Sequence, residues 1–276
     1  MGSGPTLREQ ASPGPRAERT PRAADQPSRA WLALWRQYRF ERRMFWRNRS
    51  AAFFNFLLPL IFLALFGAIV HGHQSELDVI VPGIAGMSVM STTFTALAYN
   101  LTFLREQGVL KRIRGTPLPS GVYLAGLALN AVTNAAIQIA IVVVAGRVFF
   151  NLGWPPQPAA LVVFVVVGVA AFALLGVALS HAIPSFESAP AIVNSVFVPV
   201  ILVSGVFFDV KHVPGFLRDI AQALPLEPLI NGLTGGLVHG HGGLGSHLTA
   251  LAVIGVWAVV GIVLAIRGFS WDARRS

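Results

Sequence analysis

The sequence predicts an all-α integral membrane protein. It should have six transmembrane helices, an N-terminal interfacial helix ahead of them, a short helix in one inner loop and re-entrant helices on the outer side. Three observations lead there. Only 12% of the 276 residues are charged and 54% are hydrophobic, against about 25% charged in an ordinary soluble domain. Apolar runs of about 20 residues recur, each long enough to cross a hydrocarbon core of about 30 Å. The basic residues fall between those runs, and mostly on one side.

The elements follow in chain order. Residues 1–28 are rich in Pro, Ala and Arg with no apolar run, a composition that predicts a disordered tail and lacks the apolar stretch of a signal peptide. Residues 29–50 wrap into a helix with Trp31, Leu34, Trp35, Tyr38 and Phe45 on one side and Arg36, Arg39, Arg43 and Arg47 on another. An aromatic face beside a cationic face, just before a span, predicts a helix lying in the membrane interface. Arg42 interrupts its apolar stripe.

The six-span domain covers 51–270, with spans at 51–70, 82–101, 122–146, 159–180, 189–208 and 248–267. Residues 271–276 form a short tail. Pro59, Pro184 and Pro199 do not forbid helices, because neighbouring helices re-satisfy the freed backbone groups. Placing the N-terminus inside puts 11 basic residues before the first span, four between the second and third and three at the end. Only Arg147, Lys211 and Arg218 remain outside. Both termini are therefore expected in the cytoplasm.

Several functions are excluded. Without cysteine there is no disulfide, zinc-thiolate site or thiol nucleophile. The net charge of +9 is explained by orientation and lipid contact, so nucleic acid is not an expected partner. Neither Lys111 nor Lys211 closes a phosphate-binding loop. No span carries a charge near its middle, where ion-coupled carriers keep one. A transporter built this way must borrow its energy, and a downhill channel would need none. An intramembrane lipid-modifying enzyme would need an acid–base pair, and the inner side offers only Glu41, Glu106, Glu187 and scattered arginines.

Two polar stripes stand out. Asn130, Asn134 and Gln138 share one face of the third span, and Ser88, Thr92, Thr95 and Tyr99 make a comparable row on the second. Such stripes mark helix contacts or a wet path, and a dimer interface can be both. Between the fifth and sixth spans, 211–247 is too interrupted to span and too apolar for a free loop. It predicts short helices dipping into the outer leaflet, with Glu227 near the outer face. The pairs His71/His73 and His239/His241 have no specific ligand spacing, and no metal site is assigned.

The tightest internal cluster of charge is in "LREQGVLKRIRGTPLPSGVYLAG" (104–126). Gly108 should break it from the second span, and Pro117 should end it at Thr116. Phe103, Leu110, Ile113 and Pro117 fall near one helical face, with Arg105 and Arg112 on another. On physics alone this is either an amphipathic helix across the inner mouth or an ordinary basic loop.

This stretch resembles the cytoplasmic coupling segment of the ABC transporter type-2 permease family, which includes bacterial drug-export and daunorubicin-resistance-type permeases. "NSVFVPVILVSGVFFDVKHVPGFLRDIAQALPLEPLINGL" resembles the same family's fifth span and outer segment, with Pro199, Ser204-Gly205, Phe207, Pro214 and Leu224-Pro225 in order. One departure is Thr234, near a place where the family often carries arginine.

The resemblance implies a permease subunit of an ATP-driven exporter in the bacterial cell membrane, moving a drug-like or lipid-like amphiphile outward. A lipid-linked glycan is the alternative cargo. It implies a second permease copy, membrane lipids as partners, and an ATP-binding cassette subunit that holds Mg-ATP. This chain itself would bind no cofactor and catalyse nothing. The coupling helix would comprise Arg105, Glu106, Leu110, Lys111, Arg112, Ile113, Arg114 and Pro117.

Overall fold

The computed structural model describes residues 26–70, 73–109 and 120–268. Nine α-helices follow in chain order among them, and no strand. They are α1 (Gln26–Arg47), α2 (Arg49–Ile69), α3 (Gln74–Glu106), α4 (Ser120–Phe150), α5 (Pro158–Ala182), α6 (Ala189–Val203), α7 (Gly215–Ala223), α8 (Leu226–Leu237) and α9 (Leu248–Gly268). Helices dominate because a chain this apolar must satisfy its backbone within each segment. Pro59 and Pro199 sit inside helices, as expected, and so does Pro82, whereas Pro184 lies in the turn between α5 and α6.

Five of the helices are long and apolar enough to cross a membrane: those covering Ala52–Ile69, Gln74–Glu106, Gly121–Phe150, Pro158–Ala182 and Leu244–Arg267. The expected fifth span is shorter than the sequence suggests. Its helix stops at Val203, giving 15 residues and about 22 Å of rise, less than a full hydrocarbon core. Gly205 adopts φ +72° and turns the chain toward α3, where a Cβ on Gly83 would meet the Val206 carbonyl oxygen. The second span is longer than expected, because its helix begins at Gln74 rather than near Pro82. Glu76 in that first turn complements the positive end of the helix dipole.

α3 is the central helix. Residues 81–90 are buried throughout, and Ile84 and Met90 are among the largest fully buried side chains. A π-helical turn, Ser91–Thr95, interrupts it where α5 crosses. Gly176 of α5 makes that crossing possible, since a Cβ there would stand 2.6 Å from the Phe94 carbonyl oxygen. α8 is sunk into the bundle against α3, α5 and α9, with Leu226, Leu229 and Leu233 fully buried. By contrast α2 and α9 present apolar surface outward, including Phe53, Phe54, Leu58, Val256 and Ile266, as lipid-facing helices do.

α1 packs on α4, and Leu34, Tyr38 and Phe45 of the expected aromatic side are half-buried together with Gln37, Glu41 and Arg42. Trp31 and Trp35 of that side stay 62% and 46% exposed, and several of the contacts with α4 involve polar side chains. A Cβ on Gly126 would meet the Gln37 stem, Tyr38 Oη lies 3.2 Å from Thr133 Oγ1, and Arg42 donates to Asn134 Oδ1 at 2.5 Å. Arg42 interrupts the apolar stripe because it points into the protein. Its guanidinium also lies 5.7 Å from the Trp46 ring centre, within cation–π range.

Candidate functional site

Two places gather the residues singled out by the sequence: the end of α3 that leads into segment 107–119, and a cleft between α2 and α6.

α3 ends at Glu106. The Gln107 amide donates to the Phe103 carbonyl at 3.0 Å and the Gly108 amide to the Arg105 carbonyl at 3.1 Å. Gly108 takes φ +66°, the left-handed conformation that ends helices and favours glycine. The expected break is therefore real. The last turn before it grips the loop joining α5 to α6. Arg105 is only 6% exposed; its Nη1 donates to the Ser180 carbonyl at 2.9 Å and its Nη2 donates to the Ile183 carbonyl. These carbonyls lie at the C-terminal end of α5, where orphan acceptors and the helix dipole both favour a cation.

The neighbouring side chains hold the same loop. Glu106 Oε1 accepts from the Phe186 amide at 2.6 Å, and the Phe103 and Phe186 rings meet edge to face at 5.3 Å. Ser185 and Ser188 tie the turn to itself, the Ser188 hydroxyl donating to the Ser185 carbonyl at 2.8 Å. Glu187 points outward. Phe103, Arg105 and Glu106 of α3 thus hold one short turn that lies far from them in the sequence. Leu110, Lys111, Arg112, Ile113, Arg114 and Pro117 lie outside the described residues.

The polar stripes resolve differently from one another. On α3 two of the hydroxyls are satisfied within the helix: Ser88 donates to the Ile84 carbonyl and Thr92 to that of Ser88, both at 2.7 Å. Thr95 Oγ1 is buried without a partner among the described residues, and Tyr99 is half-buried. On α4, Asn134 is taken by Arg42, and Gln138 donates to the Asn55 carbonyl at 2.8 Å. Asn130 Oδ1, Gln138 Oε1 and Asn55 Nδ2 are buried with no partner among the described residues.

Ser88 and Gln138, one from each stripe, meet in a cleft of about 280 Å³. Asn55 and Phe62 of α2, Ser91 of α3 and Phe197 of α6 complete most of its wall. Apolar sides over a polar base with unpaired amide atoms suit a molecule that is largely apolar with a few polar groups. Thr92, Thr95, Tyr99, Asn130 and Asn134 do not line this cleft. The sequence reading missed Asn55, although it is the one amide in the otherwise apolar first span. It also missed the inward role of Arg42, which was visible as the break in a stripe.

At the other end, Glu227 sits half-buried in a polar hollow of about 390 Å³ shared with Asp78, Asp209, Lys211 and Arg218. Loss of solvent raises its pKa above the ordinary carboxylate value. Thr234, near the place where the family often carries arginine, donates to the Ile230 carbonyl at 2.9 Å. Among the described residues no three His, Asp or Glu side chains gather closely enough to hold a metal.

The comparisons with known proteins agree with this architecture. The family model described as "ABC-2 type transporter" matches residues 29–238. The chain belongs to that family and is a multi-pass membrane protein. It is 28% identical over 183 residues to the daunorubicin resistance ABC transporter permease protein DrrB1 of Streptomyces coeruleorubidus, covering 62% of each chain. It is 24% identical over 191 residues to the linearmycin resistance permease protein LnrN of Bacillus subtilis, covering 68% of this chain and 47% of that one. It is 26% identical over 210 residues to nodulation protein J of Rhizobium meliloti, covering 73% and 78%. The chain thus spans less than two thirds of the length of the first two relatives.

Proposed function

We propose that this chain is the permease subunit of an ATP-driven exporter that moves a drug-like or lipid-like amphiphile outward across a bacterial cell membrane. Both termini are cytoplasmic, and two copies pair. Energy comes from Mg-ATP hydrolysed in a separate ATP-binding cassette subunit docked under each copy. The observation that carries this reading is the grip of Phe103, Arg105 and Glu106 on the turn between α5 and α6. A force applied to segment 107–119 passes directly into two further helices.

In this reading the charged positions divide their work. Arg105 and Glu106 act inside the permease as positioning residues. Lys111, Arg112 and Arg114 meet the ATPase, with Leu110, Ile113 and Pro117 as apolar anchors. The cleft at Asn55, Ser88 and Gln138 lines the path or the seam between two copies. The exposed apolar face of α2 beside it is the surface that a second copy would cover. The names of the resistance permeases support the amphiphile as cargo.

The test is a mild-detergent pull-down of the tagged chain from its native membrane, with partner identification and an ATPase assay. A stoichiometric nucleotide-binding partner whose substrate-stimulated hydrolysis is lost with Arg112→Glu is the expected result. A clean preparation with no such partner would refute the reading.

A further inference from the structure

A second, larger hollow lies on the other side of α6 from the cleft described above. It encloses about 590 Å³ between α3, α5, α6 and α9, and its wall includes Phe94, Leu175, Ala178, Val196, Val200 and Leu264. Its character is one-sided. Among its lining residues the only ionisable side chains are His181 and Arg267, and both stand at the same end. No acidic residue lines it.

Its depth is informative. Trp257 and Arg267, both on α9, mark its two ends, and ten residues of α-helix rise about 15 Å. That is about half of a hydrocarbon core of about 30 Å, or one leaflet. The far end is closed, because Leu224 and Pro225 line it beside Trp257, whose indole donates to the Ala223 carbonyl at 2.7 Å. The side is open, with Leu264 51% and Val196 37% exposed. The hollow is therefore a slot one leaflet deep, entered from the bilayer.

The electrostatics at the mouth favour an anion. The carbonyls ending a helix normally repel negative charge, but those of Ser180 and Ile183 at the end of α5 are already covered by Arg105. Arg267 is exposed and makes no hydrogen bond to a described residue, leaving its planar fork of donors available for phosphate oxygens.

We propose that this slot binds one anionic phospholipid from the leaflet on the basic side of the protein. An acyl chain would lie along α5 and α9, and the phosphate would sit against Arg267 beside His181. The site is distinct from the cleft at Gln138 and does not depend on the exporter reading.

The test uses the full chain, purified with whatever subunit accompanies it, in nanodiscs carrying phosphatidylglycerol or phosphatidylcholine with a photoactivatable group in the acyl chain. Adducts are mapped by mass spectrometry. With phosphatidylglycerol they should concentrate on 175–182 and 196–200 relative to the lipid-facing side of α2. Arg267→Glu should lower them about fivefold, the effect of losing one basic contact at an anionic surface. Ala178→Trp, which fills the slot and keeps the arginine, should lower them as well. Arg267→Gln is read in the same way should Arg267→Glu fail to reconstitute. Equal labelling by the two lipids would overturn the proposal. So would labelling no denser than on α2, or adducts insensitive to both changes. Absence of either lipid from the slot would assign it to a second copy of the chain instead.

Discussion

The two ends of the bundle are held together by different physics. At the basic end, α3 grips the α5–α6 turn through a buried guanidinium, a carboxylate and one ring contact. At the other end, α8 is wedged in place by close packing. A Cβ on Gly232 would strike the Phe164 ring at 2.2 Å, and one on Gly236 would lie 2.9 Å from the Leu161 amide nitrogen. Hydrogen bonds are directional and few, so they transmit a displacement along defined vectors and release when geometry changes. Close-packed glycine and aliphatic contacts have no direction and tolerate almost no change of volume. One end is held by a few directional bonds, and the other by packed volume.

The largest expected effect comes from breaking the grip. Arg105→Ala strips two buried carbonyls of their donor and should cost about 2–4 kcal/mol in thermal unfolding of the purified chain. Arg105→Lys should recover less than half of that, since an ammonium cannot span both acceptors as a fork does. Full recovery by lysine would mean that the charge alone matters and that the geometry transmits nothing.

Next in size is the packed end. Gly236→Ala places a methyl against the Leu161 backbone, which cannot move away like a flexible side chain. The cost should be about 1–3 kcal/mol, read by the same unfolding assay. A neutral result would show that α8 is loosely seated and would erase the contrast drawn above.

The smallest effect concerns Glu41, on the inward face of α1. Loss of solvent raises its pKa above the ordinary 4.5, and a hydrogen bond from Gln37 offsets this only in part. A carboxyl raised by folding binds its proton preferentially in the folded state, so stability falls as pH climbs upward from 4.5. Glu41→Gln should therefore raise the midpoint of unfolding at neutral pH, with the gain vanishing below pH 4.5. A gain that is independent of pH would mean that the carboxyl is solvated and that α1 is only lightly docked.

Much of this molecule was legible in its sequence. Apolar runs, punctuated by basic segments, determined the all-helical membrane class. Gly108 determined where the second span ends, because only the left-handed conformation closes the helix there. The two quoted motifs were enough to point to the family. All of these are local properties: hydropathy over a window, one backbone angle, a short string of residue types.

What the tertiary structure decided was partnership. Arg105 reads as one more exposed charge in a basic loop until α5 delivers two carbonyls from 75 and 78 residues away. Arg42 reads as a flaw in a stripe until Asn134 stands opposite it. The shortened α6 follows from a turn at Gly205 and from the seat that α3 offers at Gly83. The slot beside Arg267 exists only where four helices diverge. Local pattern fixes which faces are apolar, but a buried charge is tolerable only beside its partner, and the partner's position is a property of the assembled bundle.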